Sequence, residues 1–299
     1  MASKLVRRLG IVVGAILLLI VLTGGALYFI SDRNLDKTWE VTPGPLAIPT
    51  DSASIERGRH LASARLMCLD CHGEDLGGRV VVDAMPFGRF VAGNLTPGGV
   101  GGSYTDADWV RAIRHGIRPN GKSLLFMPTD VFAELGAEDL AAVIAYLKTV
   151  APVTRSLPPT ELGPIGRMLV ATNTAPLVMA KLVNHEAPIP GMPPEGETTD
   201  YGRYLVASGG CLGCHGKNLS GGKIFGGPED PPAANLTPTG IGEWSDADFL
   251  RAFREGKRPN GTAIHPFMPW KSMGRMTDSE LRAIYLYLKT VPARPYAEG

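Results

Sequence analysis

The sequence contains one pattern twice, as Cys68-Leu-Asp-Cys71-His72 and as Cys211-Leu-Gly-Cys214-His215. These two segments account for all four cysteines of the chain. In both copies a Gly-Arg-x-Leu segment precedes the first cysteine and a glycine follows the histidine. The sequence therefore predicts two equivalent sites, one in each half of the chain.

The repeat extends far beyond the cysteines. Asn-Leu-Thr-Pro recurs at 94–97 and 235–238, Arg-Pro-Asn-Gly at 118–121 and 258–261, Phe-Met-Pro at 126–128 and 267–269, and Tyr-Leu-Lys-Thr-Val at 146–150 and 287–291. Each unit covers roughly 95 residues, the size of a small domain. We predict two domains, a proline-rich linker between them and a short tail, with these bounds: 54–150, 151–197, 198–293 and 294–299.

Helical periodicity dominates both units. Thr105, Ser245 and Thr277 are predicted helix N-caps, and Thr277 is followed three residues later by a glutamate, as in a capping box. Further helices are predicted over 55–67 and, in the linker, over 165–183. The last helix of each unit has apolar residues at i, i+3, i+4 and i+7, namely Leu140, Val143, Ile144 and Leu147, then Leu281, Ile284, Tyr285 and Leu288. The predicted fold class is all-α.

The repeated cysteine motif predicts covalent haem. Two thiols three positions apart can add to the two vinyl groups of a haem, and the adjoining histidine can then ligate the iron. Cys-x-x-Cys-His is the attachment pattern of c-type haem. We predict two haem c groups, with covalent attachment through Cys68, Cys71, Cys211 and Cys214 and proximal iron ligation by His72 and His215.

Zinc binding, a redox-active dithiol and a structural disulfide are the alternative uses of these cysteines. A four-ligand zinc site would have to join two motifs that the repeat assigns to separate domains. A thioredoxin-like dithiol would need neither the histidine nor the duplication. Haem accounts for both features.

Methionine is the predicted sixth ligand of each iron. Among ten methionines, Met127 and Met268 are those that recur at equivalent positions, each between phenylalanine and proline and downstream of its histidine. Met85, Met273 and Met276 have no counterpart, so packing or surface roles are predicted for them. The histidines outside the motifs are predicted to be surface or packing residues: His60, His115, His185 and His265.

Two further roles follow from the repeat. The loops Asn94–Pro97 and Asn235–Pro238 are predicted to supply the backbone carbonyl that orients each proximal histidine. Tyr104 and Trp244 are predicted to donate hydrogen bonds to haem propionates, with a purely structural role as the alternative.

A membrane anchor is predicted at the N-terminus. Lys4, Arg7 and Arg8 precede an uncharged run from Leu9 to Ile30, which as a helix rising ~1.5 Å per residue would cross a ~30 Å hydrocarbon layer. We predict an anchor over 1–30 and a spacer over 31–53, with a cleaved signal peptide as the alternative. The basic residues place the N-terminus in the cytoplasm, so the haem domains are predicted in the periplasm of a bacterial inner membrane, held by a single-pass helix.

The resemblance to a known family rests on four segments, with their equivalents in the first unit: 235–249, 258–261, 267–269 and 281–288. The chain resembles the cytochrome c subunits of membrane-bound alcohol and gluconate dehydrogenase complexes and related di-haem cytochromes. In that family the methionine before proline is the distal ligand, which implies this role for Met127 and Met268. The dehydrogenase subunits typically carry three haems, whereas two motifs and an N-terminal anchor are present here.

We therefore predict two tandem cytochrome c domains that transfer single electrons between a redox protein donor and an acceptor. A net charge of +1, from 30 basic and 29 acidic residues, does not indicate nucleic-acid binding. No small-molecule substrate of its own is expected, because methionine fills the distal position. The alternatives are a di-haem peroxidase-type enzyme, which would need an open distal site, and a structural relay subunit of a large assembly.

Overall fold

Helices dominate the structure, a computed structural model that describes residues 2–224 and 231–297. Helix α1 (Ala2–Asp36) lies at the N-terminus, and almost all its side chains from Lys4 to Ile30 are exposed. It is long and apolar enough to cross a membrane. The helix continues six residues beyond Ile30, where the predicted anchor ends.

Among the described residues, the first unit contains five α-helices, the second contains six, and the intervening segment has one. The first set is α2 (Ser52–His60), α3 (Cys68–His72), α4 (Asp106–His115), α5 (Thr129–Phe132) and α6 (Ala137–Leu147). The linker helix is α7 (Pro164–Thr172). The second set is α8 (Thr199–Ser208), α9 (Cys211–His215), α10 (Pro238–Ile241), α11 (Asp246–Glu255), α12 (Trp270–Met273) and α13 (Asp278–Thr290). Helix α10 of the second unit corresponds to a 3₁₀ turn, Val100–Gly102, in the first.

The all-α prediction needs correction, because the structure also contains a small antiparallel sheet. Strands β1 (Arg79–Ala84) and β2 (Gly88–Ala92) form a hairpin, and β3 (Glu161–Leu162) in the linker pairs with β2. The run Val80-Val-Val82 is β-branched, which favours an extended chain. The fold is therefore mostly helical, with one sheet that joins the first domain to the linker.

The predicted helix starts are confirmed. Thr105, Ser245 and Thr277 each accept a hydrogen bond from the third residue of α4, α11 and α13, and the side chain of that third residue completes a capping box. Helices α4 and α11 both end at a glycine with φ of 65°. The helix predicted over 55–67 forms as α2, continued by a π-helical turn from Leu61 to Arg65.

A glycine lies where the first and last helices of each domain meet. Gly58 of α2 lies against Ala142 of α6, and Gly202 of α8 lies against Ala283 of α13. A Cβ atom at either glycine would overlap the carbonyl oxygen of its neighbour. The repeat thus preserves one close helix contact in both domains.

Gly202→Ala tests this contact. We expect it to lower the free energy of unfolding of the second domain by about 3 kcal/mol, because the added methyl group forces two packed backbones apart. Denaturant unfolding followed by the haem absorbance would measure the loss. Gly191→Ala is the matched control, since a Cβ at Gly191 has no neighbour within 4 Å. An equally stable Gly202→Ala protein would contradict the packing described here.

The linker packs against the first domain. Arg155 donates hydrogen bonds to Asp75 and to the carbonyl oxygen of Gly78, and Asn94 donates to the carbonyl oxygen of Val153. The helix predicted over 165–183 forms as α7, followed after an irregular stretch by a short 3₁₀ turn from Met179 to Lys181. The outer end of α1 in turn packs on α7, so the first domain, the linker and the end of α1 are joined.

Candidate haem-binding sites

Both cysteine motifs form short helices. In α3 and in α9 the two cysteines lie three residues apart and therefore one above the other on the same side of the helix. A residue in the left-handed conformation precedes each helix, Met67 with φ of 53° and Gly210 with φ of 78°. The chain thus turns sharply into each motif and presents both thiols in one direction.

The four cysteines form no disulfide, and their thiols are unlike those of a reactive dithiol. Burial raises the pKa of Cys68 and of Cys211 to about 12. A redox-active Cys-x-x-Cys motif instead requires a lowered pKa. Within residues 2–224 and 231–297, no group of three or more His, Cys, Asp and Glu side chains is arranged to hold a metal ion. Neither the dithiol nor the zinc alternative is therefore supported.

Each motif histidine is oriented by a backbone carbonyl. The Nδ1 atom of His72 donates to the oxygen of Gly93 at 2.7 Å, and that of His215 donates to the oxygen of Ala234 at 2.8 Å. The predicted loops begin one residue later, so the orienting carbonyl immediately precedes each loop. Burial lowers the pKa of both histidines. The imidazoles are therefore neutral near pH 7, with Nε2 left as the free lone pair for a metal ion.

The asparagine of each loop fixes the backbone next to that carbonyl. The Oδ1 atom of Asn94 accepts hydrogen bonds from the backbone nitrogen and the hydroxyl of Thr96, at 3.0 and 2.7 Å. Asn235 and Thr237 repeat the arrangement at 2.9 and 2.7 Å. Both threonines are fully buried. The repeated Asn-Leu-Thr-Pro segment therefore holds the residue that orients the histidine.

The predicted methionines lie on the same cores as the motifs. Met127 and Cys68 both pack against the hydrophobic core of the first domain, and Met268 and Cys211 both pack against that of the second. The prolines after the two methionines each precede a short helix, α5 or α12. Ligation by either methionine stays a prediction.

Two polar groups in the first domain were not predicted from the sequence. The Nε1 atom of Trp109 is buried and has no hydrogen-bond partner in the described chain. Arg118 is partly buried, and burial lowers its pKa; within the described residues it forms no ion pair. The ring of Tyr104 packs edge-on against Trp109 at 5.2 Å. The repeat contained a signal for Arg118, because its Arg-Pro-Asn-Gly segment recurs.

The second domain differs at these positions. Phe249 replaces Trp109, and Arg258, the counterpart of Arg118, is exposed. Trp244 is the predicted propionate donor of this domain. A hydrogen bond from the hydroxyl of Tyr285 to its carbonyl oxygen, at 2.7 Å, holds its backbone in place. The two sites are therefore equivalent at the motif and different around it.

The short helix that follows each predicted methionine ligand, α5 or α12, contacts the cysteine motif of the other domain or the residue just before it. Ser272 in α12 donates to the carboxylate of Asp70, inside the first motif, at 2.7 Å. Val131 in α5 lies beside Gly210, which immediately precedes the second motif. Both candidate haem sites therefore adjoin one interface between the domains.

A buried polar network joins the domains at this interface. Arg65 donates to Asp139 at 2.8 Å and to Ser208 at 2.7 Å, and the hydroxyl of Tyr204 donates to Asp139 at 2.6 Å. Burial opposes ionisation of Asp139, but the charge of Arg65 and the Tyr204 hydrogen bond hold its pKa below the ordinary value. A buried ion pair of this kind fixes geometry more than it adds stability. The network therefore defines how the two domains meet.

The remaining histidines have other contacts. His60 pairs with Glu280 across the domain interface at 2.8 Å. The Nδ1 atoms of His115 and His185 lie 3.2 Å apart, and burial lowers the pKa of His115 to about 4. The ring of His265 accepts a hydrogen bond from the backbone nitrogen of Phe267.

In the comparison with known proteins, each unit matches a cytochrome family model. Residues 200–292 match the family model described as "Cytochrome c", and residues 53–147 match the one described as "Cytochrome C oxidase, cbb3-type, subunit III".

Three relatives illustrate the similarity of the whole chain. The fructose dehydrogenase cytochrome subunit of Gluconobacter japonicus is 32% identical over 81% of this chain and 53% of its own length. The alcohol dehydrogenase (quinone) cytochrome c subunit of Gluconacetobacter polyoxogenes is 29% identical over 83% and 58%. A diheme cytochrome c-type protein of Cereibacter sphaeroides is 29% identical over 76% and 82%. The chain thus spans about half the length of the two dehydrogenase subunits.

Proposed function

Since the chain belongs to the cytochrome c family through both of its domains, we propose that it is a membrane-anchored di-haem cytochrome that passes electrons from a dehydrogenase to an acceptor. The observation that carries the proposal is the twice-built site, in which two cysteines outside any disulfide adjoin a neutral histidine held by a backbone carbonyl. It is an electron-transfer protein and not the dehydrogenase itself, in keeping with the names of its relatives.

The residues of each site fit a haem c group. The group would supply reversible one-electron chemistry at its iron. Cys68 and Cys71 would hold the first by thioether bonds, and Cys211 and Cys214 the second. His72 and His215 would ligate through Nε2, and Met127 and Met268 would fill the sixth position. Methionine opposite histidine raises the potential and leaves no open position for peroxide, which favours electron transfer over the peroxidase alternative.

The first site also fits the haem propionates. The buried indole N–H of Trp109 lacks an acceptor in the described chain, and Arg118 lacks a carboxylate partner there. An unsatisfied buried donor costs about 1–3 kcal/mol. A propionate would satisfy both groups, with the hydroxyl of Tyr104 beside them. The exposed Arg258 and the apolar Phe249 indicate that the second haem is held with fewer polar contacts.

The shared interface supports electron exchange within the chain. Ser272 in α12 contacts Asp70 in the first cysteine motif, and Val131 in α5 lies beside Gly210, just before the second motif. The buried pair of Arg65 and Asp139 keeps the two domains in this arrangement. Electrons would therefore enter at one domain and leave from the other without a third protein between them.

The membrane helix supports the proposed location. Its uncharged run follows three basic residues, which is the pattern of a cytoplasmic N-terminus. The two haem domains would then lie in the periplasm, together with their redox partners. Relatives named as subunits of fructose, alcohol and nicotinate dehydrogenases suggest a dehydrogenase as the donor.

Co-purification tests the proposed partner. We expect mild detergent to extract the chain together with a dehydrogenase subunit, and the substrate of that dehydrogenase to reduce both haems in the isolated complex. The visible haem band follows the reduction, with ascorbate giving the fully reduced reference. The same extract from cells that lack the dehydrogenase is the control. A chain recovered alone, whose haems stay oxidised in membranes supplied with fructose, ethanol, gluconate or nicotinate, would refute a dehydrogenase donor.

A further inference from the structure

The linker helix α7 is fixed to the outer end of α1. The Nη1 atom of Arg167 donates to Asp32 at 2.6 Å, and its guanidinium lies over the ring of Tyr28 at 3.9 Å from the centroid. Asn34 donates to the carbonyl oxygen of Val170 at 3.0 Å. These three contacts lie within two turns of α1, so α7 cannot swing away from it without losing all of them.

The position of these contacts along α1 determines how deep α7 lies relative to the membrane. The uncharged stretch from Leu9 to Ser31 is about 34 Å long as a helix, slightly more than a hydrocarbon layer of about 30 Å. With Arg7 and Arg8 at the inner surface, the outer boundary falls near Tyr28 to Ser31. Tyrosine is enriched at this boundary. Because Arg167 contacts both Tyr28 and Asp32, α7 lies at the level of the outer headgroups.

The side of α7 away from the first domain is apolar and exposed. Ile165 and Met168 lie three residues apart on one face and are 42% and 43% exposed, whereas Gly166 and Val170 are buried. The backbone nitrogen of Ile165 donates to the carbonyl oxygen of Pro86 at 3.1 Å, which brings the turn of the β1–β2 hairpin beside α7. Met85 in that turn is 60% exposed. We call Met85, Ile165 and Met168 the α7 patch.

The charges beside the patch suit a phospholipid surface. Asp32 is paired with Arg167, and Asp36 is paired with Lys122 at 2.7 Å. Arg33 is exposed and forms no ion pair within the part of the chain that the structure describes. The two carboxylates of α1 at this level are thus paired and a basic side chain of α1 is exposed beside them, which favours contact with headgroup phosphates.

We propose that the α7 patch is a second membrane contact, inserted among the headgroups and upper acyl chains of the membrane that α1 crosses. The inference rests on the proposed anchoring by α1. The patch is continuous with the anchor, because it adjoins the end of the spanning helix at the depth where apolar and aromatic side chains enter the membrane interface. Two contacts instead of one would restrict rotation of the first haem domain about α1 and present it to membrane partners in one orientation.

Thiol labelling of the haem-loaded full chain in phospholipid nanodiscs tests the proposal. Met168→Cys and Ile165→Cys report on the patch, and Leu286→Cys on α13 is the matched control, with a native exposure of 38%. We expect a membrane-impermeant maleimide to label positions 165 and 168 several-fold more slowly than position 286. Each rate is compared with that of the same variant after denaturation, which removes differences in intrinsic reactivity.

The outcomes separate the patch from the anchor. Slow labelling at both positions in a protein that resists extraction by salt and alkaline carbonate supports the proposal. Labelling at either position as fast as at 286, in a protein that still resists extraction, overturns the α7 patch and leaves the anchor intact. Release of the protein by salt overturns the anchoring by α1 itself.

Discussion

The double variant Cys211→Ala/Cys214→Ala is expected to carry one covalent haem instead of two. The reason is that both thioether bonds of the second site come from these two sulfur atoms, and His215 alone holds a haem only by a ligand bond. The mass of the denatured protein should fall by one haem, and the haem-to-protein ratio measured after denaturation should halve. The first haem is expected to stay, because each motif lies on the core of its own domain.

The reciprocal variant Cys68→Ala/Cys71→Ala is the matched control and should lose the other haem. The two variants should then differ in the potential of the haem that remains, since the proposed propionate partners Trp109 and Arg118 belong to the first domain, and Phe249 and an exposed Arg258 take their places in the second. A double variant that retains two haems after denaturation would show that the second motif does not attach haem. A wild-type protein with free, alkylatable cysteines would exclude covalent attachment altogether.

The helix starts depend on residue identity and were predicted from the sequence. Thr105, Ser245 and Thr277 were identified as N-caps, because a cap is a local hydrogen bond between residues three apart, and a full capping box was predicted at Thr277. Haem attachment also depends on residue identity, since it needs two thiols and a histidine in one short helix, and it stays a prediction. The repeat acted as an internal comparison and selected Met127 and Met268 from ten methionines.

Features that depend on long-range packing were not predicted. Strand β3 has two residues and forms only because the linker returns to the hairpin, so it has no periodic signal. The hydrogen bond between Ser272 and Asp70 joins residues 202 positions apart. The hydrogen bonds of the network around Arg65 join residues 65 to 143 positions apart, and in the sequence these residues look like ordinary polar residues of helices.

The carbonyl group that orients each motif histidine could not be identified from the sequence, for a different reason. Asn-Leu-Thr-Pro was correctly placed beside the histidine, yet the acceptor belongs to the preceding residue, Gly93 or Ala234. A backbone carbonyl is present at every residue, so the sequence contains no mark of which one accepts. The side chains of Asn94 and Asn235 carry the signal because they shape the loop, not because they touch the imidazole.

Replacement of Met268 is expected to change the second haem selectively. Met268→His should lower its reduction potential on the order of 100 mV, well within the roughly 0.8 V range that axial ligands span, because imidazole stabilises ferric iron more than a thioether does. Met268→Ala should instead open the distal position, so that the reduced protein binds carbon monoxide at one haem. Redox titration and the Soret shift under carbon monoxide measure the two effects.

Met273→Leu is the matched control for the alanine variant. Met273 lies five residues further on, is only 5% exposed and packs in the same core, so its replacement perturbs packing without removing a predicted ligand. It should keep both potentials and bind no carbon monoxide. If Met273→Leu admits carbon monoxide as readily as Met268→Ala, loose packing and not lost ligation explains the effect. If the unmodified protein already binds carbon monoxide at one haem and turns over peroxide, methionine ligation at that haem is wrong and the peroxidase alternative takes its place, because an iron with a permanently filled distal position cannot do either.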